Sequence, residues 1–163
     1  MKNLNPPFHL AFSRPKLPIF NIQSSKSSNL KDLLVNLSFE NPNKMIKVRF
    51  QSSSTLLLFN NNLVDWQFIY PFNLSTHETK FGFVRFASDF RSLHENDKMD
   101  LQKQLQNNKL EFQILTIFRV RATLGSLHYS IMLLGRCELQ LTSPPNGLLL
   151  IHHCTTKKTK KKN

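Results

Sequence analysis

"LEFQILTIFRVRA", residues 110 to 122, alternates apolar and polar side chains over most of its length. Successive side chains of a β-strand point to opposite faces, so five apolar residues of this stretch would share one face: Leu110, Phe112, Ile114, Phe118 and Val120. Residues 129 to 141 form a second long segment with the same two-residue period. The pattern predicts strands with one face in a core and the other in solvent, as in antiparallel sheets.

The same alternation recurs in shorter segments. Residues 33 to 40 and 46 to 50 both show it, and the turn residues Asn41-Pro42-Asn43-Lys44 separate them. Because proline presets φ and asparagine favours turns, these two segments are predicted to form a hairpin. Three further strands are predicted at residues 55 to 59, 64 to 70 and 80 to 86.

One segment departs from the strand pattern. Residues 97 to 106 contain no β-branched side chain, begin with a residue type that caps helices, and place Leu101 and Leu105 four apart. These features predict a short helix. About seven strands and one helix indicate an all-β fold, a two-sheet antiparallel sandwich, because a parallel nucleotide-binding sheet would alternate strands with helices.

The formal net charge of +12 is unevenly distributed. The first 29 residues and the last seven contain nine of the 22 basic residues and none of the ten acidic ones. Four of the eight prolines lie in residues 1–19, which favours an extended lead-in. The sequence therefore predicts a lead-in at 1–19, one sandwich domain at 20–156 and a basic, disordered tail at 157–163. Five lysines of this tail are candidate contacts for an anionic lipid, a nucleic acid or an acidic polysaccharide, or form a candidate nuclear address: Lys157, Lys158, Lys160, Lys161 and Lys162.

Motifs of the common enzyme classes are missing from the sequence. There is no G-x-S-x-G, no H-E-x-x-H and no glycine-rich phosphate loop, and the four glycines are scattered. Asp97 and Asp100 are explained by the preference of acidic residues for the first turn of a helix. The hydrolase, zincin and P-loop classes of enzyme therefore lose support.

The segment TKFGFVRF, residues 79 to 86, partly fits the octamer with which RNA-recognition motifs stack bases on aromatic side chains. In that interpretation Phe81, Phe83 and Phe86 would stack on RNA. In the alternative interpretation the segment is a sandwich strand with Phe81 and Phe83 on one face and Val84 and Phe86 on the other. We favour the strand, because the RNA-binding fold needs a helix where residues 40 to 64 show strand and turn patterns; RNA binding remains the alternative.

Two N-L-S sequons begin at Asn36 and Asn73. They matter only if the chain enters the secretory pathway. Asn36 lies in the middle of a predicted strand, so Asn73 is the preferred candidate for glycosylation.

The stretch GRCELQLTSPPNGLLLIHHC, residues 135 to 154, contains both cysteines. If Pro144-Pro145-Asn146-Gly147 is a four-residue loop, Ser143 faces Leu148 and the register places Cys137 opposite Cys154. Opposed residues have Cβ atoms close enough for a disulfide after modest adjustment. The same register puts His152 beside Leu139 and His153 on the other face, opposite Glu138. Only Cys137, Cys154 and His152 therefore share a face, whereas a closed zinc site needs four converging ligands. We predict a disulfide rather than a metal site.

Three motifs carry a resemblance to a known family. GRCELQLTSPPNG with the later Cys154, DLQKQLQNNKLEFQILTIFRVRATLGSLHYS and the turn ENPNK resemble the plant type-two late embryogenesis abundant domain. The chain is most similar to the harpin-induced-like branch, which is related to non-race-specific disease-resistance proteins. The resemblance extends over residues 14 to 158.

The resemblance implies a fibronectin-type-III-like sandwich and a non-catalytic protein of the stress and defence response, without catalytic residues or cofactor. We expect no metal and no small-molecule substrate. Such a protein would act as an interaction module at or near the plasma membrane, with a protein or a membrane surface as its partner; nucleic acid is not expected. A lipid-binding or membrane-perturbing protein is a further alternative. Family members usually have one transmembrane helix, and a segment like Arg14-Pro15-Lys16-Leu17-Pro18 follows it.

This chain contains no apolar run approaching the roughly 20 residues that cross a bilayer, so the resemblance implies a chain that begins where the helix ends. The domain is expected outside the plasma membrane if the full gene product has that helix, and in solution, in a compartment that the sequence leaves open, if it does not.

Overall fold

Strands make up most of the part of the chain that the computed structural model describes, residues 16–159. The elements in this part are β1 (Ile19–Asn29), β2 (Asp32–Glu40), β3 (Lys47–Phe50), β4 (Ser53–Phe59), β5 (Asn62–Ile69), β6 (Phe72–Leu74), β7 (Thr79–Ala87), α1 (Glu95–Gln106), β8 (Leu110–Leu124), β9 (Leu127–Leu141) and β10 (Leu149–Lys158). They form two antiparallel sheets in a sandwich with one short helix, as the sequence predicts.

The smaller sheet has three strands in the order β1, β2, β7. The larger sheet has seven and is organised around β8, which pairs with β9 over its whole length; β9 in turn pairs with β10. The other edge of β8 pairs with β4 over its first half and with β3 over its second half. Strand β5 extends the sheet beyond β4, and β6 extends it beyond β3.

A cluster of phenylalanine rings joins the two sheets. Phe20 and Phe39 come from the smaller sheet, and Phe50 and Phe118 come from the larger one. The Phe39 and Phe50 rings lie edge to face with centroids 5.3 Å apart, and Phe20 meets Phe118 in the same way at 5.8 Å. Edge-to-face pairs are a favourable aromatic geometry, so this cluster contributes to the packing of one sheet on the other.

The predicted hairpin between residues 33–40 and 46–50 is wrong. Strand β2 pairs with β1 and β7 in the smaller sheet, whereas β3 pairs with β6 and β8 in the larger one. The chain crosses between the sheets at the predicted turn, where the side chain of Asn41 is fully buried. Its Nδ2 donates to the backbone oxygens of Ile46 (2.7 Å) and Ser75 (3.0 Å), and these bonds fix the crossing in place of a hairpin ladder.

The predicted helix is present and begins two residues earlier, at Glu95. Leu101 is its buried residue, so one side of the helix packs on the sandwich. No helix within residues 16–159 has the length and apolar character needed to span a bilayer.

The first and last strands reach into the predicted lead-in and the predicted tail. Strand β1 begins at Ile19. At the other end β10 includes Lys157 and Lys158, which pair with Leu134 and Leu133. These two lysines therefore belong to the sheet and not to a tail, because the β9–β10 ladder continues through them. Lys160, Lys161, Lys162 and residues 1–15 lie outside the described part of the chain.

The two ends of the described chain lie close together. Lys16 and Leu17, which precede β1, and Lys158, at the end of β10, line the same small cavity. Val120 and Tyr129 also line it, so this is the end of the sandwich where β8 finishes and β9 begins.

Candidate interaction surface on the larger sheet

The two cysteines form the predicted disulfide. Cys137 and Cys154 face each other in the β9–β10 ladder with their Cα atoms 4.1 Å apart. The loop assumed for this register is one residue off: Thr142 bonds to Leu148 through the backbone, and Leu141 faces Leu149. A register shift between Leu149 and Ile151 corrects the offset before the cysteines are reached.

The two histidines of this hairpin lie where the register predicts. His152 is opposite Leu139 and His153 is opposite Glu138. They therefore point to different faces of β10.

The aromatic residues of β7 divide as the strand interpretation predicts. Phe81 and Phe83 are 74% and 69% exposed on the outer face of the smaller sheet, whereas Phe86 is fully buried and Val84 is in the core. Phe86 cannot stack on a base, so its assignment to an RNA-binding surface is wrong.

The two sequon asparagines lie in different environments. Asn36 is on the central strand of the smaller sheet, where its Nδ2 donates to Ser24 Oγ at 2.7 Å. Asn73 is exposed on β6, which is an edge strand, and its Oδ1 accepts from Arg49 Nη1 at 3.0 Å.

The outer face of the larger sheet contains two cross-strand rows of mostly apolar side chains, which we call the apolar rows. Within a row, each residue is directly opposite the next in the strand register, so the side chains share a face. The first row is Phe68, Ser54, Ile117, Leu134 and Lys157, and the second is Trp66, Leu56, Leu115, Arg136 and Thr155.

Three large side chains of the apolar rows are exposed to solvent. The exposed fractions are 61% for Phe68, 48% for Trp66 and 42% for Ile117. The Phe68 and Trp66 rings contact each other edge to face with centroids 5.0 Å apart. Contiguous exposed apolar surface of this kind is typical of sites that bind another molecule.

Four cations adjoin the apolar rows on the same face, and we call Lys47, Arg49, Arg119 and Arg121 the basic cluster. Arg119 follows Ile117 on the same face of β8, and Arg121 follows Arg119. Arg121 is directly opposite Arg49 on β3. All four side chains are exposed, and within residues 16–159 none of them forms a salt bridge.

On the same outer face, the surface beyond the apolar rows and away from the basic cluster is polar. Glu138 lies between Gln113 and His153 in the register, and Glu111 lies opposite Gln140. These side chains line an open groove of about 470 Å³. Along β8 the outer face therefore changes from acidic and polar, through apolar, to basic.

This surface could not be predicted from the sequence. Arg119 and Arg121 are visible as alternating polar residues of the predicted strand, but Arg49 joins them only because β3 pairs with β8. The predicted hairpin would have placed β3 beside β2. Trp66 and Phe68 were visible only as two residues of a predicted strand, because nothing in their spacing distinguishes an exposed face from a buried one.

The comparisons with known proteins give little further information. No protein-family model and no curated protein matches the chain. Among solved structures, the chain is similar to a protein from Archaeoglobus fulgidus, with 6% sequence identity, a TM-score of 0.37, and coverage of 90% of this chain and 98% of that chain.

Proposed function

We propose that this protein is a non-catalytic stress and defence-response protein of the harpin-induced-like type, which acts as an interaction module at or near the plasma membrane. The sequence motifs around residues 135 to 147 support the family. The exposed apolar rows on the outer face of the larger sheet support the role in binding.

The observation that carries the proposal is the exposed pair Trp66 and Phe68. Removing one large apolar side chain from water contributes roughly 1.5–3 kcal/mol to association. Tryptophan is among the residues that most often dominate the binding energy of a protein interface. The two rings contact each other on a strand that is paired with β4, and such ordering before binding reduces the freedom lost when a partner covers them.

The RNA-binding alternative has less support. It rests on Phe81 and Phe83 alone, since Phe86 lies in the core. Within their sheet these two rings have the uncharged Ser38 and Asn36 as cross-strand neighbours, and Arg85, on the same face of β7, is paired with Asp32 at 3.2 Å.

A photo-crosslinking experiment in leaf cells tests the proposal. A photoreactive phenylalanine analogue replaces Phe68 in one variant and Phe83 of the smaller sheet, which is similarly exposed, in the other. We expect position 68 to give a discrete crosslinked protein that position 83 does not give.

The binding of this chain to the partner protein that the crosslink identifies, purified on its own, completes the test. The double variant Trp66→Ala/Phe68→Ala should weaken it by about tenfold or more, and the matched control Phe81→Ala/Phe83→Ala should leave it unchanged. The proposal is wrong if position 68 gives no crosslink, or if both double variants bind equally well.

A further inference from the structure

We propose that the basic cluster and the apolar rows together bind the surface of an anionic phospholipid bilayer. Arg49, Arg119 and Arg121 contact the lipid phosphates, and Phe68 and Trp66 enter the interfacial layer. This inference rests on the proposed function in one respect, namely that the outer face of the larger sheet is the binding surface. It names a partner that is not a protein.

The arrangement of the arginines is the first argument. Arg49 and Arg121 are directly opposite each other on paired strands, and like charges in this position destabilise a sheet. Within the described residues neither has a carboxylate partner. A phosphate bound between them would remove the repulsion, because the planar guanidinium group binds phosphate oxygens with two parallel hydrogen bonds.

The position of the apolar side chains is the second argument. Phe68, Ile117, Met132 and Arg119 line one open groove of about 390 Å³, so cationic and apolar groups lie side by side. The headgroup region of a bilayer accepts both kinds of group at the same depth: aromatic rings concentrate there, and anionic lipids attract cations there.

A bilayer fits this face better than a nucleic acid does. A nucleic-acid strand needs cations along the path of its backbone, whereas the cations of this face, which include Lys157 and Arg136 of the apolar rows, stop at the carboxylates Glu138 and Glu111. If the partner that covers the apolar rows is a protein instead, the photo-crosslinking experiment at position 68 detects it.

Trp66 is the only tryptophan of the chain, so its fluorescence reports on this face directly. The full-length protein is mixed with vesicles of phosphatidylcholine alone or of phosphatidylcholine with phosphatidylserine. We expect binding to the phosphatidylserine vesicles in a sedimentation assay, a blue shift of the Trp66 emission, and quenching by brominated lipid. Added salt should weaken the binding.

Substitutions distinguish vesicle binding through the basic cluster from vesicle binding through the net positive charge of the chain. The triple variant Arg49→Gln/Arg119→Gln/Arg121→Gln should weaken vesicle binding roughly a hundredfold, at about fivefold for each cation. The control Lys26→Gln/Lys31→Gln/Lys103→Gln removes the same charge from exposed positions elsewhere and should have a much smaller effect. Circular dichroism melts of both variants check that they fold.

Three more variants test the apolar contacts and the C-terminal lysines. Phe68→Ala should weaken binding by about tenfold, and Phe83→Ala on the other sheet should not. Replacing Lys160, Lys161 and Lys162 with glutamine in the full chain should preserve the blue shift of Trp66.

Three results would overturn the inference: no binding to phosphatidylserine vesicles, binding without a change in Trp66 emission, or equal losses in the two triple variants. A crosslinked protein at position 68 together with no vesicle binding would reject the lipid partner and keep the proposed function. Vesicle binding through Arg49, Arg119 and Arg121 without any crosslinked protein would reject the protein partner and keep the lipid one.

Discussion

Thr55 of β4 and Thr116 of β8 face each other in the middle of the core and share a hydrogen bond of 2.8 Å between their hydroxyl oxygens. Both residues are fully buried. Thr116 is the polar residue on the otherwise apolar inner face of β8 from Leu110 to Ala122. A buried hydroxyl is tolerated when it is hydrogen-bonded, so the two threonines depend on each other.

This dependence predicts a strongly non-additive pair of substitutions. Thr55→Val or Thr116→Val alone should lower the free energy of unfolding by about 1–3 kcal/mol, because each leaves one buried hydroxyl without a partner. The double variant should be close to the wild type, since neither hydroxyl remains. Urea denaturation of all four proteins measures the coupling, and single-variant losses that simply add in the double variant would contradict it.

The disulfide between Cys137 and Cys154 should stabilise the sandwich. It closes a loop with a sequence separation of 17 residues, for which the chain-entropy account predicts about 3 kcal/mol. The double variant Cys137→Ser/Cys154→Ser should therefore unfold at a lower denaturant concentration than the oxidised protein. The intact mass before and after reduction and alkylation shows whether the bond is formed, and free thiols in protein from its native compartment would contradict the prediction.

Gly147 should not tolerate a side chain. Its φ is +58°, and a Cβ at this position would overlap the backbone of Ser27, at 2.6 Å from the nitrogen. The contact is held by hydrogen bonds from Ser25 Oγ to the Gly147 oxygen (2.7 Å) and from the Ser27 nitrogen to the Asn146 oxygen (3.0 Å). We expect Gly147→Ala to cost about 2–4 kcal/mol in thermal denaturation. Gly125→Ala is the control, because it has a similar φ and open space around it, and an equal loss there would show that φ alone decides.

Asn73 should be glycosylated in preference to Asn36 when the chain is directed through the secretory pathway. Asn73 is exposed on an edge strand, whereas Asn36 lies between Ser24 and Phe83 on neighbouring strands and is bonded to Ser24. A glycosidase-sensitive mass shift should disappear in Asn73→Gln and persist in Asn36→Gln. The reverse pattern would contradict the prediction.

The local features of the fold could be predicted from the sequence. Alternation gives the strand state of β8 and β9, the lack of β-branched residues gives the helix, and a two-residue period separates Phe81 and Phe83 from Val84 and Phe86. The opposition of Cys137 and Cys154 was also predicted, although the assumed loop was wrong by one residue and a register shift in β10 corrected it.

The pairing of distant strands could not be predicted in the same way. Strand β1 was not predicted, because serines occupy two of its buried positions and so interrupt the apolar period. Ser25 and Ser27 are buried there and form hydrogen bonds to the loop at Asn146 and Gly147. The partner of β3 was assigned wrongly because a turn sequence does not tell whether the chain returns to the same sheet. The basic cluster depends on that pairing, so it became visible only in three dimensions.

The closeness of Lys16 to Lys158 has a practical consequence for anyone labelling the protein. Both ends of the described sandwich emerge where β8 finishes, which is also the end of the sheet that carries Arg121 and Lys47. A bulky label attached at Lys16 or Lys158 would therefore lie close to these cations and interfere with binding measurements. A small label on the exposed Gln102 of α1, at the far end of β8, leaves that surface open for immobilisation or single-molecule work.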